Sequence, residues 1–332
     1  ADGKYLVAAN DWSSSSRVYY FDTNQDNWPY SDYTWKVNGL DGGNPVGISL
    51  SDNGHFLAIA SECHMYLYET SGHYFEENHD NYEWSYEIGD GPGDECDNSK
   101  FQSIEISADG NYIVAGAEDN KTYLWERTSS NPERTFETNG RVDTVSISAD
   151  GEYVVAGTEE DKVYLFDKDS STPLWTYSTM GDVFSVDISA SGEYISVGVG
   201  TSSKKLILFG KDSNTPVWDY TAGDTVRSVS ISANGQNIVA TSQDDKVYLF
   251  KNNETFELSV IPYSPVEGEL WYFDDVLRWY WSSDDYDLVF DVYLDQNPNP
   301  TTKIASNLTV PYYQPQDLDV HTKYYWKIVA KD

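Results

Sequence analysis

The two cysteines of the chain, Cys63 and Cys96, carry its most reactive side chains. Neither belongs to a Cys-x-x-Cys pair or to the Cys-x-x-Cys-His motif that attaches haem, so their spacing does not indicate a redox or metal site. For a protein outside the cell, an isolated pair of this kind predicts a structural disulfide.

Oxygen ligands for a cation are concentrated in one acidic segment that begins at Gly89. Its carboxylates are Asp90, Asp94, Glu95 and Asp97. Carboxylate-rich loops can bind Ca²⁺, although this one does not match the EF-hand pattern. Calcium is therefore the one cofactor that we consider, and the alternative is a solvated acidic loop.

Candidate zinc or copper ligands are also clustered, because four of the five histidines fall within a short stretch: His55, His64, His73 and His79. Imidazole suits both metals. The four residues lack a regular ligand spacing, and we therefore expect surface histidines.

Catalytic machinery is not recognisable in the sequence. We find no Gly-x-Ser-x-Gly elbow, no His-Glu-x-x-His motif and no glycine-rich phosphate loop. We therefore expect a protein that is not an enzyme. The enzyme alternative is a quinone-dependent oxidoreductase, which would rest on analogy of fold alone.

The net charge of −34, from 55 acidic and 21 basic residues, restricts the partners. A surface of this charge is repelled by nucleic acids and by anionic lipids. No run approaches the ~18 apolar residues of a membrane span. We expect protein partners or a glycan, without nucleic acid or membrane insertion.

Repetition organises most of the chain. The closest copies are ISADGNYIVAG from Ile106, ISADGEYVVAG from Ile147, ISASGEYISVG from Ile188 and ISANGQNIVAT from Ile231. More distant copies are LSDNGHFLAIA from Leu50 and ADGKYLVAA from Ala1. A period of 41 to 43 residues between the glycines of the closest copies is typical of propeller blades.

Each repeat divides into four short strands, which we label A to D. An Asp-Gly, Asn-Gly or Ser-Gly pair turns the chain between A and B, an acidic turn joins B to C, and a polar loop leads to D. Strand A carries Glu105 and Asp187 in two repeats, where other repeats have Ser49, Ser146 and Ser230. These five side chains would line the central channel.

The segment VYLFDKDSSTPLWTY from Val163 resembles the repeats of WD-repeat and quinoprotein-like propellers. The resemblance implies an all-β fold with about six blades, each a four-stranded antiparallel sheet, over residues 1–260. The recurring tryptophans Trp84, Trp175 and Trp218 of strand D would pack between blades.

The C-terminal segment LDVHTKYYWKIVA from Leu318 resembles fibronectin type III domains. The resemblance implies a small β-sandwich over residues 261–332, opened by a linker from Ile261. Tyr324 would form a tyrosine corner, and Trp326 would share its inward face.

Strand counting leaves gaps at both ends of this architecture. The repeats contain six B strands and six C strands but only five A strands. The segment 255–261 could complete the last or the first blade. At the other end, the sandwich lacks a last strand. A trimmed sequence and strand donation between subunits both explain these gaps.

Taken together, these patterns predict an extracellular protein of a cell surface, surface layer or filament, similar to archaeal or bacterial surface proteins with propeller repeats. Any secretory leader would already have been removed. Asn-x-Ser/Thr motifs at Asn120, Asn253 and Asn307 are candidate glycosylation sites. The alternative is a propeller that binds a glycan or peptide on the face carrying the D–A and B–C loops, near residues 23–35 and 69–84.

Overall fold

The computed structural model describes residues 4–10, 17–22, 35–38, 40, 44–70, 82–89, 96, 99–200, 202–252, 259–264, 277–282, 289–297, 300–310, 312–315 and 324–331. The described residues form strands and turns without a helix. None of them forms a helix of the length and hydrophobicity that crossing a bilayer requires.

Six antiparallel sheets follow one another along the chain and form the blades of a propeller. Blade 1 contains β1 (Tyr5–Asn10), β2 (Arg17–Asp22) and β3 (Trp35–Asn38). Blade 2 contains β4 (Pro45–Leu50), β5 (Phe56–Ser61), β6 (His64–Glu69) and β7 (Trp84–Glu87). Blade 3 contains β8 (Phe101–Ile106), β9 (Tyr112–Ala117), β10 (Lys121–Glu126) and β11 (Arg134–Glu137).

The remaining blades repeat this plan. Blade 4 contains β12 (Val142–Ile147), β13 (Tyr153–Thr158), β14 (Lys162–Asp167) and β15 (Trp175–Ser178). Blade 5 contains β16 (Val183–Ile188), β17 (Tyr194–Val199), β18 (Lys205–Gly210) and β19 (Pro216–Thr221). Blade 6 contains β20 (Val226–Ile231), β21 (Asn237–Ser242) and β22 (Lys246–Lys251). The predicted all-β class is confirmed, and the predicted four-stranded blade is confirmed for blades 2 to 5.

The A–B turn explains why the repeat is so regular. In blade 4, the Ser148 hydroxyl donates to Asp150 (2.6 Å) and accepts from the backbone N–H of Tyr153 (3.0 Å). Gly151 follows at a φ of +75°, and a Cβ there would overlap the ring of Tyr112 in blade 3. The turn therefore needs glycine both for its backbone conformation and for packing between blades.

The blades pack face to face around the axis, and their apolar side chains form one core layer at each junction. Between blades 4 and 5, the layer includes Val155, Val163 and Leu165 on one side and Val186 and Ile188 on the other. All five are buried. Since blades 2 to 5 each contribute to two such layers, the core is a series of layers rather than a single cluster.

The C-terminal part is a small sandwich of two three-stranded sheets. One sheet contains β23 (Ser259–Ser264), β24 (Leu277–Ser282) and β27 (Tyr312–Tyr313), and the other contains β25 (Val289–Asp295), β26 (Lys303–Leu308) and β28 (Tyr325–Lys331). Trp279 and Phe290 meet edge to face in the core between them, with ring centroids 5.5 Å apart.

The expectations for residues 255–264 need correction. Ile261 does not open a linker, because β23 pairs with β24 in the sandwich from Ser259 onward. Residues 259–261 therefore complete neither the first nor the last blade, and residues 255–258 lie outside the described part. Pro262 is accommodated because β23 is an edge strand, where the missing N–H disrupts no ladder on its outer side.

Candidate functional site

The centre of the propeller is lined by the inner strands of the blades, each of which is strand A of the repeat. In blades 2 to 6 these strands are β4, β8, β12, β16 and β20. In the inner strands of blades 2 to 5, one position accepts a hydrogen bond from the backbone N–H of an aliphatic residue in the next blade. The pairs are Ser49 with Ile106 (3.1 Å), Glu105 with Ile147 (3.1 Å), Ser146 with Ile188 (3.3 Å) and Asp187 with Ile231 (2.7 Å). Side-chain oxygens thus join adjacent inner strands, which no backbone ladder connects.

A second row of acceptors lies two residues earlier in the same strands. Ser103 accepts from the N–H of Val145 (3.3 Å), Thr144 from that of Val186 (3.2 Å), and Ser185 from that of Val229 (3.1 Å). The three junctions between blades 3 and 4, 4 and 5, and 5 and 6 therefore each have two side-chain acceptors. The sequence contains the signal for this arrangement in the Ser, Thr, Glu or Asp that recurs at these two positions.

The carboxyl groups of Glu105 and Asp187 share this interior. Burial, together with the negative charge of Asp187, raises the pKa of Glu105 to about 8. Burial also raises the pKa of Asp187, against the hydrogen bonds that it accepts from Ile231, Ser230, Ile188 and Ser146. Glu105 is therefore protonated at neutral pH, and the interior holds less negative charge than its composition suggests.

A cavity of about 230 Å³ lies at the end of the axis where the A–B turns meet. Its lining includes Glu105 together with Ala149, Ala190 and Ala233 from three consecutive turns. Backbone hydrogen bonds join these turns, from Ala149 to Ala190 (3.1 Å) and from Ala190 to Ala233 (3.0 Å). The cavity can admit a small polar group, and hydrogen-bonded A–B turns form part of its wall.

The opposite end of the axis carries the D–A and B–C connections. The structure joins Cys63 and Cys96 there in a disulfide, with Cα atoms 5.8 Å apart. Cys63 also accepts a backbone hydrogen bond from Ile88 (2.9 Å), and Cys96 is buried. The bridge fastens the B–C turn of blade 2 to the connection that leads into blade 3.

The calcium candidates Asp90, Asp94, Glu95 and Asp97 lie outside the described residues. Within the described part of the chain, no three His, Cys, Asp or Glu side chains are grouped as metal ligands. His55 is buried, and His64 stacks on Tyr66 with ring centroids 5.8 Å apart. His73 and His79 lie outside the described residues.

The predicted tryptophans lie between blades. The Trp84 indole N–H donates to the carbonyl of Arg127 in blade 3 (2.6 Å), and that of Trp175 donates to Lys211 in blade 5 (2.7 Å). Trp218 packs against Phe250 of blade 6, with ring centroids 5.2 Å apart. In the sandwich, Tyr324 and Trp326 both pack against the core.

Two of the three candidate glycosylation sites can be placed. Asn120 occupies the B–C turn of blade 3 at a φ of +67°, and Asn307 lies at the edge of the sandwich at a φ of +55°. Both side chains are exposed. Asn253 lies outside the described residues, as do residues 23–34 and 71–81 of the predicted ligand region.

Comparison with known proteins agrees with this architecture. The WD domain, G-beta repeat family matches residues 96–126, 130–167 and 214–251. A chain from a solved structure titled "Crystal Structure of Mitotic Checkpoint Complex" is similar in fold, with a TM-score of 0.59 at 15% identity over 75% of this chain and 74% of that chain. No curated protein matches the sequence. The chain therefore carries WD40 repeats in a β-propeller-like fold.

Proposed function

We propose that this chain is an extracellular structural and interaction protein of a cell surface, surface layer or filament. The propeller is its protein-binding scaffold and the sandwich, which we take as fibronectin type III-like, is a spacer. It assembles with other protein subunits by strand donation, and it performs no catalysis.

The WD40-type propeller carries the scaffold part of this proposal, because its rigid blades present loops and sheet faces to partners. The extracellular part is supported by the Cys63–Cys96 disulfide, since such bridges persist in oxidising compartments. The net charge of −34 favours solubility in a crowded surface layer.

The experiment is light scattering and electron microscopy on the native, full-length protein from its own source, with and without Ca²⁺. Alkylation of the unreduced protein measures its free thiols in parallel. Filaments, sheets or a complex with a second surface protein, with both cysteines protected, are expected. A monomer inside the cell with alkylated Cys63 and Cys96 would contradict the proposal.

The alternative function is recognition of a glycan or peptide at the D–A end of the propeller. One observation favours it: Met180 is 76% exposed in the D–A connection before blade 5, and the Arg227 guanidinium lies 4.3 Å from the ring centre of Phe184 near the same end. Glycan and peptide arrays test it. Binding that is lost in Met180→Ser and Phe184→Ala would identify this end as the site.

A further inference from the structure

The dipeptide Asn-Gly occurs at four places in the chain: Asn38-Gly39, Asn53-Gly54, Asn139-Gly140 and Asn234-Gly235. The asparagine side chain of such a pair can react with the backbone of the next residue, because glycine has no side chain to hinder the approach. Gly39 lies outside the described residues, so the comparison concerns the other three pairs. These pairs differ in the contacts that control the reaction.

The reaction is the deamidation of asparagine. The backbone nitrogen of the glycine loses its proton and attacks the side-chain carbonyl carbon of the asparagine, Cγ. A bond from this nitrogen to Cγ forms, the bond from Cγ to Nδ2 breaks, and ammonia leaves. Water then opens the cyclic imide and gives aspartate or isoaspartate, in which the main chain runs through the former side chain. The reaction therefore needs a glycine N–H that can release its proton and a carboxamide that can turn onto the nitrogen.

In the A–B turn of blade 2, both groups are held by hydrogen bonds. The side-chain oxygen of Asn53 accepts from the Ser51 hydroxyl (2.8 Å) and from the backbone N–H of His55 (3.0 Å). The N–H of Gly54 donates to the carbonyl of Ser51 (2.8 Å). Asn53 is also buried, which restricts the access of water. Deamidation at Asn53 would first have to break the hydrogen bonds that close the turn.

The A–B turn of blade 6 holds its asparagine in the same way. The side-chain oxygen of Asn234 accepts from the Ser232 hydroxyl (2.8 Å) and from the backbone N–H of Gln236 (3.2 Å). The N–H of Gly235 donates to the carbonyl of Ser232 (2.8 Å). The repeated turn therefore protects both of its Asn-Gly pairs.

Asn139 and Gly140 lie instead in the D–A connection between β11 and β12, and their reacting groups are not held. Asn139 is exposed, and its backbone N–H donates to the hydroxyl of Tyr164 (3.0 Å). Gly140 accepts from the Thr138 hydroxyl through its carbonyl (3.2 Å). Among the described residues, neither the carboxamide of Asn139 nor the N–H of Gly140 makes a hydrogen bond.

We propose that Asn139 is a site of spontaneous deamidation in the folded protein. Water is the co-reactant, and the products are ammonia and a chain with aspartate or isoaspartate at position 139. The A–B turns protect Asn53 and Asn234 from the same reaction. This inference is independent of the proposed function, because it depends only on the folded propeller.

The modification would change the connection that carries it. The side chain of Glu160 lies against Gly140, where an added Cβ would overlap it, so the new carboxylate adds negative charge beside an existing one. The Thr138 hydroxyl contacts the carbonyls of Asn120 (2.8 Å) and Gly140 (3.2 Å). Isoaspartate lengthens the main chain between Thr138 and Gly140 and should weaken the second of these contacts.

The test is peptide mapping by mass spectrometry after incubation of the whole, folded chain in mildly alkaline heavy-oxygen water. Each deamidation incorporates a heavy oxygen atom, which distinguishes it from aspartate formed earlier. We expect the peptide that contains Asn139 to deamidate at least about tenfold faster than those that contain Asn53 and Asn234, because these must first break their hydrogen bonds. A protease that cleaves before aspartate but not before isoaspartate separates the two products.

The matched control is the same chain in denaturant, where the turns are absent. The three sites should then react at similar rates, which would show that the fold protects Asn53 and Asn234. Asn139→Gln places the carboxamide one methylene further from the glycine nitrogen, and the rapidly modified peptide should disappear while circular dichroism is unchanged. Equal rates at the three sites in the folded chain, or an Asn139 that reacts only after denaturation, would overturn the proposal.

Discussion

The carboxylate of Asp187 in blade 5 accepts a 2.7 Å hydrogen bond from the backbone N–H of Ile231 in blade 6. Its other oxygen accepts from the N–H of Ile188 in its own blade (2.9 Å). One side chain therefore holds two inner strands in register, although these strands share no backbone ladder. The propeller is joined at its centre by such side chains and further out by apolar layers.

Replacement of Asp187 by alanine should destabilise the propeller. The backbone N–H of Ile231 would lose its acceptor, at a cost of about 1–3 kcal/mol, whereas that of Ile188 would keep the Ser146 hydroxyl. Chemical denaturation followed by tryptophan fluorescence measures the change. Asp212→Ala is the control, because Asp212 pairs with Lys211 on the surface of the same blade and should change the free energy of unfolding by less than about 0.5 kcal/mol. Equal effects of the two variants would show that Asp187 does not join the blades.

The pKa of Glu105 predicts a dependence of stability on pH. Its pKa of about 8 in the folded chain lies above the value of an unfolded glutamate, so the folded state binds the proton more tightly. Stability should therefore fall as the pH rises from about 5 to 8, by at most about 1.4 kcal/mol per pH unit for one group. Glu105→Gln keeps an acceptor for Ile147 but cannot ionise, and its denaturation midpoint should show a smaller fall. Parallel profiles for wild type and variant would contradict this assignment.

The Cys63–Cys96 disulfide closes a loop with a sequence separation of 33 residues. Its removal should lower the free energy of unfolding by about 3–4 kcal/mol in the chain-entropy description. The measurement is the unfolding midpoint with and without reductant. A double variant, Cys63→Ala with Cys96→Ala, should be destabilised and insensitive to reductant. A wild-type midpoint that reductant leaves unchanged would show that the bridge contributes nothing.

Gly151→Ala should destabilise blade 4 by at least about 1 kcal/mol. The φ of +75° disfavours any side chain, and the new Cβ would overlap the ring of Tyr112. Gly210→Ala is the matched control, because a Cβ there meets only Val217 at 3.9 Å. Thermal unfolding should separate the two variants clearly, and equal midpoints would refute the packing argument for the turn.

The repeat allowed much of the fold to be predicted, because each A–B turn contains an Asp-Gly, Asn-Gly or Ser-Gly pair that closes it locally. The five inner-strand positions with Glu105 and Asp187 were also recognised as channel-lining. Their role as acceptors for the next blade was not predicted. The recurring Ser, Thr, Glu and Asp mark polar positions, but the N–H groups that they meet are identified only by the lateral distance between blades. Pro262 was misleading, since proline suggests a linker but is equally compatible with an edge strand.

The successive apolar layers also determine how the propeller loses its structure. Blades 2 to 5 are each held on both sides, whereas blades 1 and 6 have one neighbour among the described residues. In such a nearly one-dimensional array, the cooperative units open from the ends inward. Amide hydrogens of β20–β22 should therefore exchange with solvent before those of β12–β14.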